Sequence, residues 1–163
     1  LLLIDLISLN LRSIEVISVM TITFALLLLY ADNHNKSYKD ITNISTKIII
    51  IIGLFQTLAL VPGVSRSGIV ITAALLFNYN RNDAIKIAFL LSIPAIFMAS
   101  SYNLLELSSM GSVVILSDHL LGMILSLIVS YLTIYFFVAT INKISFSPYI
   151  IYRILLGTLL LTI

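Results

Sequence analysis

Pro62-Gly63-Val64-Ser65-Arg66-Ser67-Gly68 interrupts what would otherwise be one long apolar segment. Before it, Lys47 to Leu60 stays apolar for about 14 residues, roughly 21 Å of helix, whereas crossing a bilayer takes about 20. After it, Gly68 to Phe77 forms a second short apolar run. Proline and glycine stop the first run. Two half-length helices, Lys47–Leu60 and Ser65–Phe77, joined by a polar loop predict a re-entrant hairpin over about residues 47–77.

The rest of the chain agrees with lipid as the main solvent. Sixty per cent of the 163 residues are apolar and ten per cent are charged, with a mean hydropathy of +1.15, where soluble domains carry about a quarter charged residues. Continuous apolar runs at about 14–30, 84–101, 120–141 and 149–163 predict four membrane spans, the second kinked at Pro94. Most aliphatic side chains in them need no role beyond facing lipid or a neighbouring helix. The fold class is therefore all-α, a polytopic transmembrane protein with one re-entrant hairpin. Residues 1–163 form a single transmembrane domain with no room for a second, soluble one.

Loop charge sets the orientation. Lys36, Lys39 and Lys47 flank the polar stretch 31–40, Arg81 and Lys86 follow the hairpin, and Lys143 lies in the last turn, while the expected loop Tyr102–Asp118 has no Lys or Arg. The basic regions are expected on the cytoplasmic side, and both ends of the hairpin with them. The chain opens on Leu1 and its first methionine is Met20, so it is expected to begin inside a longer protein.

Nine basic and seven acidic residues give a net charge of +2, thinly scattered, which argues against a nucleic-acid partner. Cysteine is absent, which excludes disulfides, thiolate catalysis and thiolate metal sites. Among charged residues Arg66 stands out, because an arginine at membrane depth costs about 2.5–3.5 kcal/mol at a helix centre. Asp5, Glu15, Asp32, Asp40, Asp83, Glu106 and Asp118 all fall in expected loops or helix ends, poor places from which to pair with it. An anionic ligand, or acids from outside the chain, is the better partner. Ser65 and Ser67 offer hydroxyls and an N-cap to the second half-helix, whose free N–H groups point into the loop. Gly63 and Gly68 let backbone approach a ligand closely. A guanidinium fork, hydroxyls and helix N–H groups suit phosphate oxygens. The bland alternative is an ordinary polar turn, since Ser-Arg-Ser-Gly strings are common in surface loops.

Gln56-Thr-Leu-Ala-Leu-Val-Pro-Gly-Val-Ser-Arg-Ser-Gly68 resembles the second signature of the bacterial undecaprenyl-diphosphate phosphatase family, the bacitracin-resistance proteins. Ala88-Phe-Leu-Leu-Ser-Ile-Pro94 and Phe146-Ser-Pro-Tyr-Ile-Ile-Tyr-Arg-Ile154 resemble two further blocks of that family in the same order, and the likeness reaches back to about Leu9. Two positions depart from the pattern: Val70 replaces a threonine and Ala88 a serine. Thr72, about 200° further round the helix, is a poor substitute for the first.

The resemblance implies hydrolysis of undecaprenyl diphosphate to undecaprenyl phosphate and inorganic phosphate, recycling the lipid carrier of cell-wall synthesis in the bacterial cytoplasmic (inner) membrane. It assigns Arg66, Ser65 and Ser67 to catalysis and Gly63, Ser65, Arg66, Ser67 and Gly68 to the substrate phosphate. It also implies two inverted repeats, of which this chain resembles the second plus the last span of the first. The family's E-x-x-x-E signature and its serine and histidine motif have no match here: Glu15 and Glu106 lack the spacing, and His34 and His119 are expected in loops. A divalent cation, Mg or Ca, is expected from the family, held by residues outside this chain, so no metal ligand is assigned within it. The expected partners are a polyprenyl diphosphate lipid, the membrane and a second copy of the chain as a homodimer. Two rivals stay open: a transporter or flippase for an anionic lipid, which also uses inverted repeats and broken helices, and a non-catalytic fragment or degenerate copy.

Overall fold

The computed structural model describes residues 13–36, 39–109, 116–141 and 144–162. Its elements are α1 (Ile14–His34), a 3₁₀ turn (Ile41–Asn43), α2 (Thr46–Thr57) continued by a 3₁₀ turn (Leu58–Leu60), α3 (Arg66–Leu76), α4 (Arg81–Ser109), α5 (Leu116–Ile141) and α6 (Ser147–Leu161). Three helical stretches, Ile14–His34, Arg81–Leu105 and Leu120–Ile141, are long and apolar enough to cross a membrane, and the other helices are shorter and apolar. The chain is an all-α, polytopic membrane protein.

The break expected at Pro62-Gly63 is present, and hydrogen bonds show where the two arms around it begin and end. Ahead of α2, the Ile41 N–H donates to Asp83 Oδ2 at 3.1 Å, and Lys39 exchanges backbone hydrogen bonds with Asn78 and Asn80 at 3.1 and 3.2 Å. Asn35, just past α1, donates to the Tyr79 carbonyl at 2.8 Å. The start of α2, the end of α3 and the end of α1 therefore share one end of the bundle, while the loop between α2 and α3 lies beside Ile17 and Thr21 near the start of α1. Asn78, at φ 64°, turns the chain out of α3, a left-handed position that asparagine tolerates.

Helices packing in lipid gain little from burying apolar surface and rely on close backbone approach through small side chains. Ser18, Thr21 and Ala25 form such a face on α1 and are buried. Against it runs α6, antiparallel, with Gly157 so close that an added Cβ would lie 2.5 Å from Ile22 Cγ1. Between these helices and α4 sits α3, buried without interruption from Gly68 to Leu75. A helix apolar on every side belongs in the centre of a membrane bundle, and the loop at its N-terminus lies against α1 and α6.

Three sequence expectations need correction. The polar stretch 31–40 is not all loop: α1 continues through His34, because Asp32 lies on the same helical face as Leu28 and Ala25 and is buried against Arg81, 2.7 Å away. His34 thus ends a helix, exposed and stacked on Tyr30 with ring centroids 4.2 Å apart. The expected loop Tyr102–Asp118 is also largely helical, since α4 runs to Ser109 and α5 starts at Leu116. Hydropathy marks the lipid-facing length, whereas a helix continues while its residues tolerate it. The readings of Asp5, Lys143 and the start of the chain fall outside the described residues, as do the side chains of Glu106, Asp118 and His119.

Candidate phosphate-binding loop

Ser65 caps α3. Its Oγ accepts from the Gly68 N–H at 3.2 Å, and the first bond within the helix runs from the Ile69 N–H to the Ser65 carbonyl at 2.9 Å. The amides of Arg66 and Ser67 precede that bond and have no partner inside the helix, so with the dipole they leave a partial positive charge at the loop. Ser67 Oγ lies 3.5 Å from Ser65 Oγ. Arg66, the first residue of α3, is exposed and makes no ion pair or hydrogen bond among the described residues. The acids described with partners are bonded elsewhere: Asp32 to Arg81 at 2.7 Å, and Asp83 to Lys86 at 3.0 Å.

Gly63 and Gly68, expected at the substrate phosphate, are both packed closely against the protein on the side where a Cβ would stand. Gly63 has φ 91° and a Cβ there would lie 2.4 Å from the Ile17 carbonyl oxygen, so the loop backbone presses on the backbone of α1. At Gly68 a Cβ would meet Ser65 Cβ at 3.0 Å and Arg153 Nη1 at 3.3 Å.

Arg153 and Tyr149 are the residues that sequence reasoning missed. Both come from α6. Arg153 is only 5% exposed, and its Nη2 donates to the Gly63 carbonyl at 2.8 Å. The guanidinium carbon sits 5.9 Å from the Tyr149 ring centre, and the Tyr149 hydroxyl donates to Ser65 Oγ at 3.1 Å. A lone arginine in the otherwise apolar run 149–163 was the available signal. It is the same signal that drew attention to Arg66.

Val70 and Ala88, the two departures from the family pattern, are both buried. Thr72 spends its hydroxyl on the Gly68 carbonyl at 2.7 Å. Beside Ser67 and Gly68 opens an apolar cavity of about 200 Å³, walled by Leu28, Ile71, Phe89, Phe137, Phe146 and Tyr149 among others. Among the described residues no three His, Asp or Glu side chains converge as a metal site. A guanidinium and amide N–H groups, both donors only, suit an anion.

Fold and site together define a polytopic α-helical membrane protein carrying a donor-rich loop between two short helices, next to an apolar cavity. The chain belongs to the family described as Bacitracin resistance protein BacA, which matches residues 1–159. It is 46% identical over 157 residues to undecaprenyl-diphosphatase 1 of Pseudoalteromonas translucida, covering 96% of this chain and 59% of that protein. The undecaprenyl-diphosphatase of Teredinibacter turnerae is 44% identical over 156 residues, with the same two shares. That of Saccharophagus degradans is 43% identical over 151 residues, covering 91% of this chain and 56% of the relative. The chain thus spans less than two thirds of the length of these curated relatives.

Proposed function

We propose that this chain is the phosphate-binding portion of a membrane enzyme that hydrolyses undecaprenyl diphosphate to undecaprenyl phosphate and inorganic phosphate. The observation that carries this reading is the loop 62–68. It joins Arg66, which has no partner among the described residues, two serine hydroxyls and the first amides of a helix N-terminus to an apolar cavity bordering Ser67 and Gly68. An anionic head with an apolar tail matches both halves of that surface. The names of the relatives support the same substrate.

Phosphoryl transfer depends on charge neutralisation around the transferred group and on positioning. In this reading Arg66 grips phosphate oxygens through its planar fork, while Ser65, Ser67 and the first amides of α3 donate to the remaining oxygens. The nucleophile, the general base and the carboxylates for a divalent cation come from outside this chain, so the chain alone should release no phosphate. The enzyme works in the bacterial cytoplasmic membrane, with both ends of the hairpin on the basic, cytoplasmic side, and a homodimer is its expected assembly.

A transporter would use a broken helix in the same way. The test is to reconstitute the full-length protein in vesicles with a prenyl diphosphate and follow inorganic phosphate. Phosphate release is the expected result; movement of intact lipid between leaflets without release would mean the transporter.

A further inference from the structure

A loop that holds an anion must present donors and hide acceptors, and two acceptors in this loop are handled from α6. The Gly63 carbonyl is taken up by Arg153 Nη2 at 2.8 Å, with Thr21 Oγ1, which bonds the Ile17 carbonyl at 2.7 Å, a further 3.3 Å neighbour. Ser65 Oγ accepts from Tyr149 at 3.1 Å and from the Gly68 amide at 3.2 Å. A serine hydroxyl has two lone pairs and one hydrogen. With both lone pairs engaged, Ser65 can act only as a donor, and its hydrogen faces Ser67 Oγ at 3.5 Å until an anion takes it.

Arg153 is also placed differently from Arg66. It is buried where Arg66 is exposed, it has no carboxylate partner among the described residues, and it touches the loop at both ends, bonding Gly63 and lying over Gly68. A buried cation without an acid is costly, so stability alone gives little reason to keep it.

We propose that Arg153 and Tyr149 are positioning residues that withdraw two acceptors of the loop 62–68: Arg153 holds the Gly63 carbonyl, and Tyr149 turns the Ser65 hydroxyl into a donor for the bound phosphate. This rests on the phosphatase reading for its effect on turnover, but its effect on anion binding does not.

The test uses the full-length protein in detergent, with Arg153→Met, Arg153→Lys and Tyr149→Phe. Turnover of a prenyl diphosphate gives kcat and KM, and inorganic pyrophosphate serves as the probe of the loop by its effect on melting temperature. Arg153→Met should lower kcat by about 10–100-fold, the range usual for groups that orient others. KM should change little, because the apolar chain contributes most of the ground-state affinity. Arg153→Lys keeps a donor for the Gly63 carbonyl and should recover part of the loss. Tyr149→Phe removes one hydroxyl and should lower kcat by about 10-fold without altering the melting temperature. Pyrophosphate should stabilise the wild type and not Arg153→Met.

Wild-type kcat in folded Tyr149→Phe together with full pyrophosphate stabilisation of Arg153→Met would overturn the proposal. So would equal loss in Arg153→Lys and Arg153→Met that follows only the fraction folded. If the wild type releases no phosphate, the phosphatase reading fails, and the pyrophosphate shifts still decide whether Arg153 orders the loop.

Discussion

The two ends of α3 treat charge in opposite ways. At its C-terminal end charges come in matched pairs: Asp32 with Arg81 at 2.7 Å, and Asp83 with Lys86 at 3.0 Å, with Asp83 also accepting from Asn80 and the Ile41 amide. These groups line a polar cleft of about 690 Å³ with Asp40 and Asn80. At the N-terminal end two arginines stand by one loop with no carboxylate partner among the described residues. Matched charges join the segments that bring the ends of α1, α2 and α3 together. Unmatched positive charge, held beside apolar walls, is what an anionic ligand would complete.

Substitutions at each end can sharpen or break that contrast. The largest effect is expected at Gly63, where alanine must adopt φ 91° and meet the Ile17 carbonyl at 2.4 Å. Backbone cannot retreat as a side-chain tip can, so Gly63→Ala should cost about 3 kcal/mol or more and abolish turnover, seen as a large fall in melting temperature of the full-length protein. At the other end, Asp32→Asn should cost about 0.5–1.5 kcal/mol, because Arg81 is 43% exposed and water takes over part of the lost partner's role. Its kcat should stay near wild type. Should Asp32→Asn lower kcat as strongly as it lowers stability, the contrast between the two ends fails. The smallest effect is expected from Thr72→Val, which removes a buried hydroxyl bonded to its own helix at 2.7 Å. About 1 kcal/mol or less is expected there, with turnover unchanged.

The hairpin is legible from residues 47–77 alone because both apolar runs are too short to cross and a proline and glycine separate them. The candidate loop also shows in the sequence, as an arginine with no nearby acid. Helix ends are less readable: α1 outlasts its apolar run because Asp32 finds Arg81, a partner 49 positions away. The support for the loop is harder still. Arg153 lies 90 positions from Gly63, and only the antiparallel packing of α6 on α1, set by Gly157, Ser18 and Ile22, brings them together. Nothing local in Phe146–Ile154 says which face of that helix meets the loop.

Hairpin topology has its own check. Cysteines placed singly at Ser45 and Asn80 should label from the same side of the membrane, since Ile41 and Asp83, near the two ends, are hydrogen-bonded at 3.1 Å. Labelling from opposite sides would mean that the segment crosses.

Arg66 tests the phosphate site most directly. Turnover and melting temperature of the full-length wild type, Arg66→Lys and Arg66→Ala should be measured in one detergent. Lysine keeps the charge and loses the fork, so Arg66→Lys should already be impaired. Arg66→Ala should lose about 10²–10³-fold in turnover, the usual effect of removing a donor aimed at developing charge. Melting temperature should stay level or rise, because the side chain is exposed and pairs with no acid among the described residues. A folded Arg66→Ala protein that keeps more than about a tenth of wild-type turnover would contradict the assignment, leaving Arg66 as an ordinary residue of a polar turn.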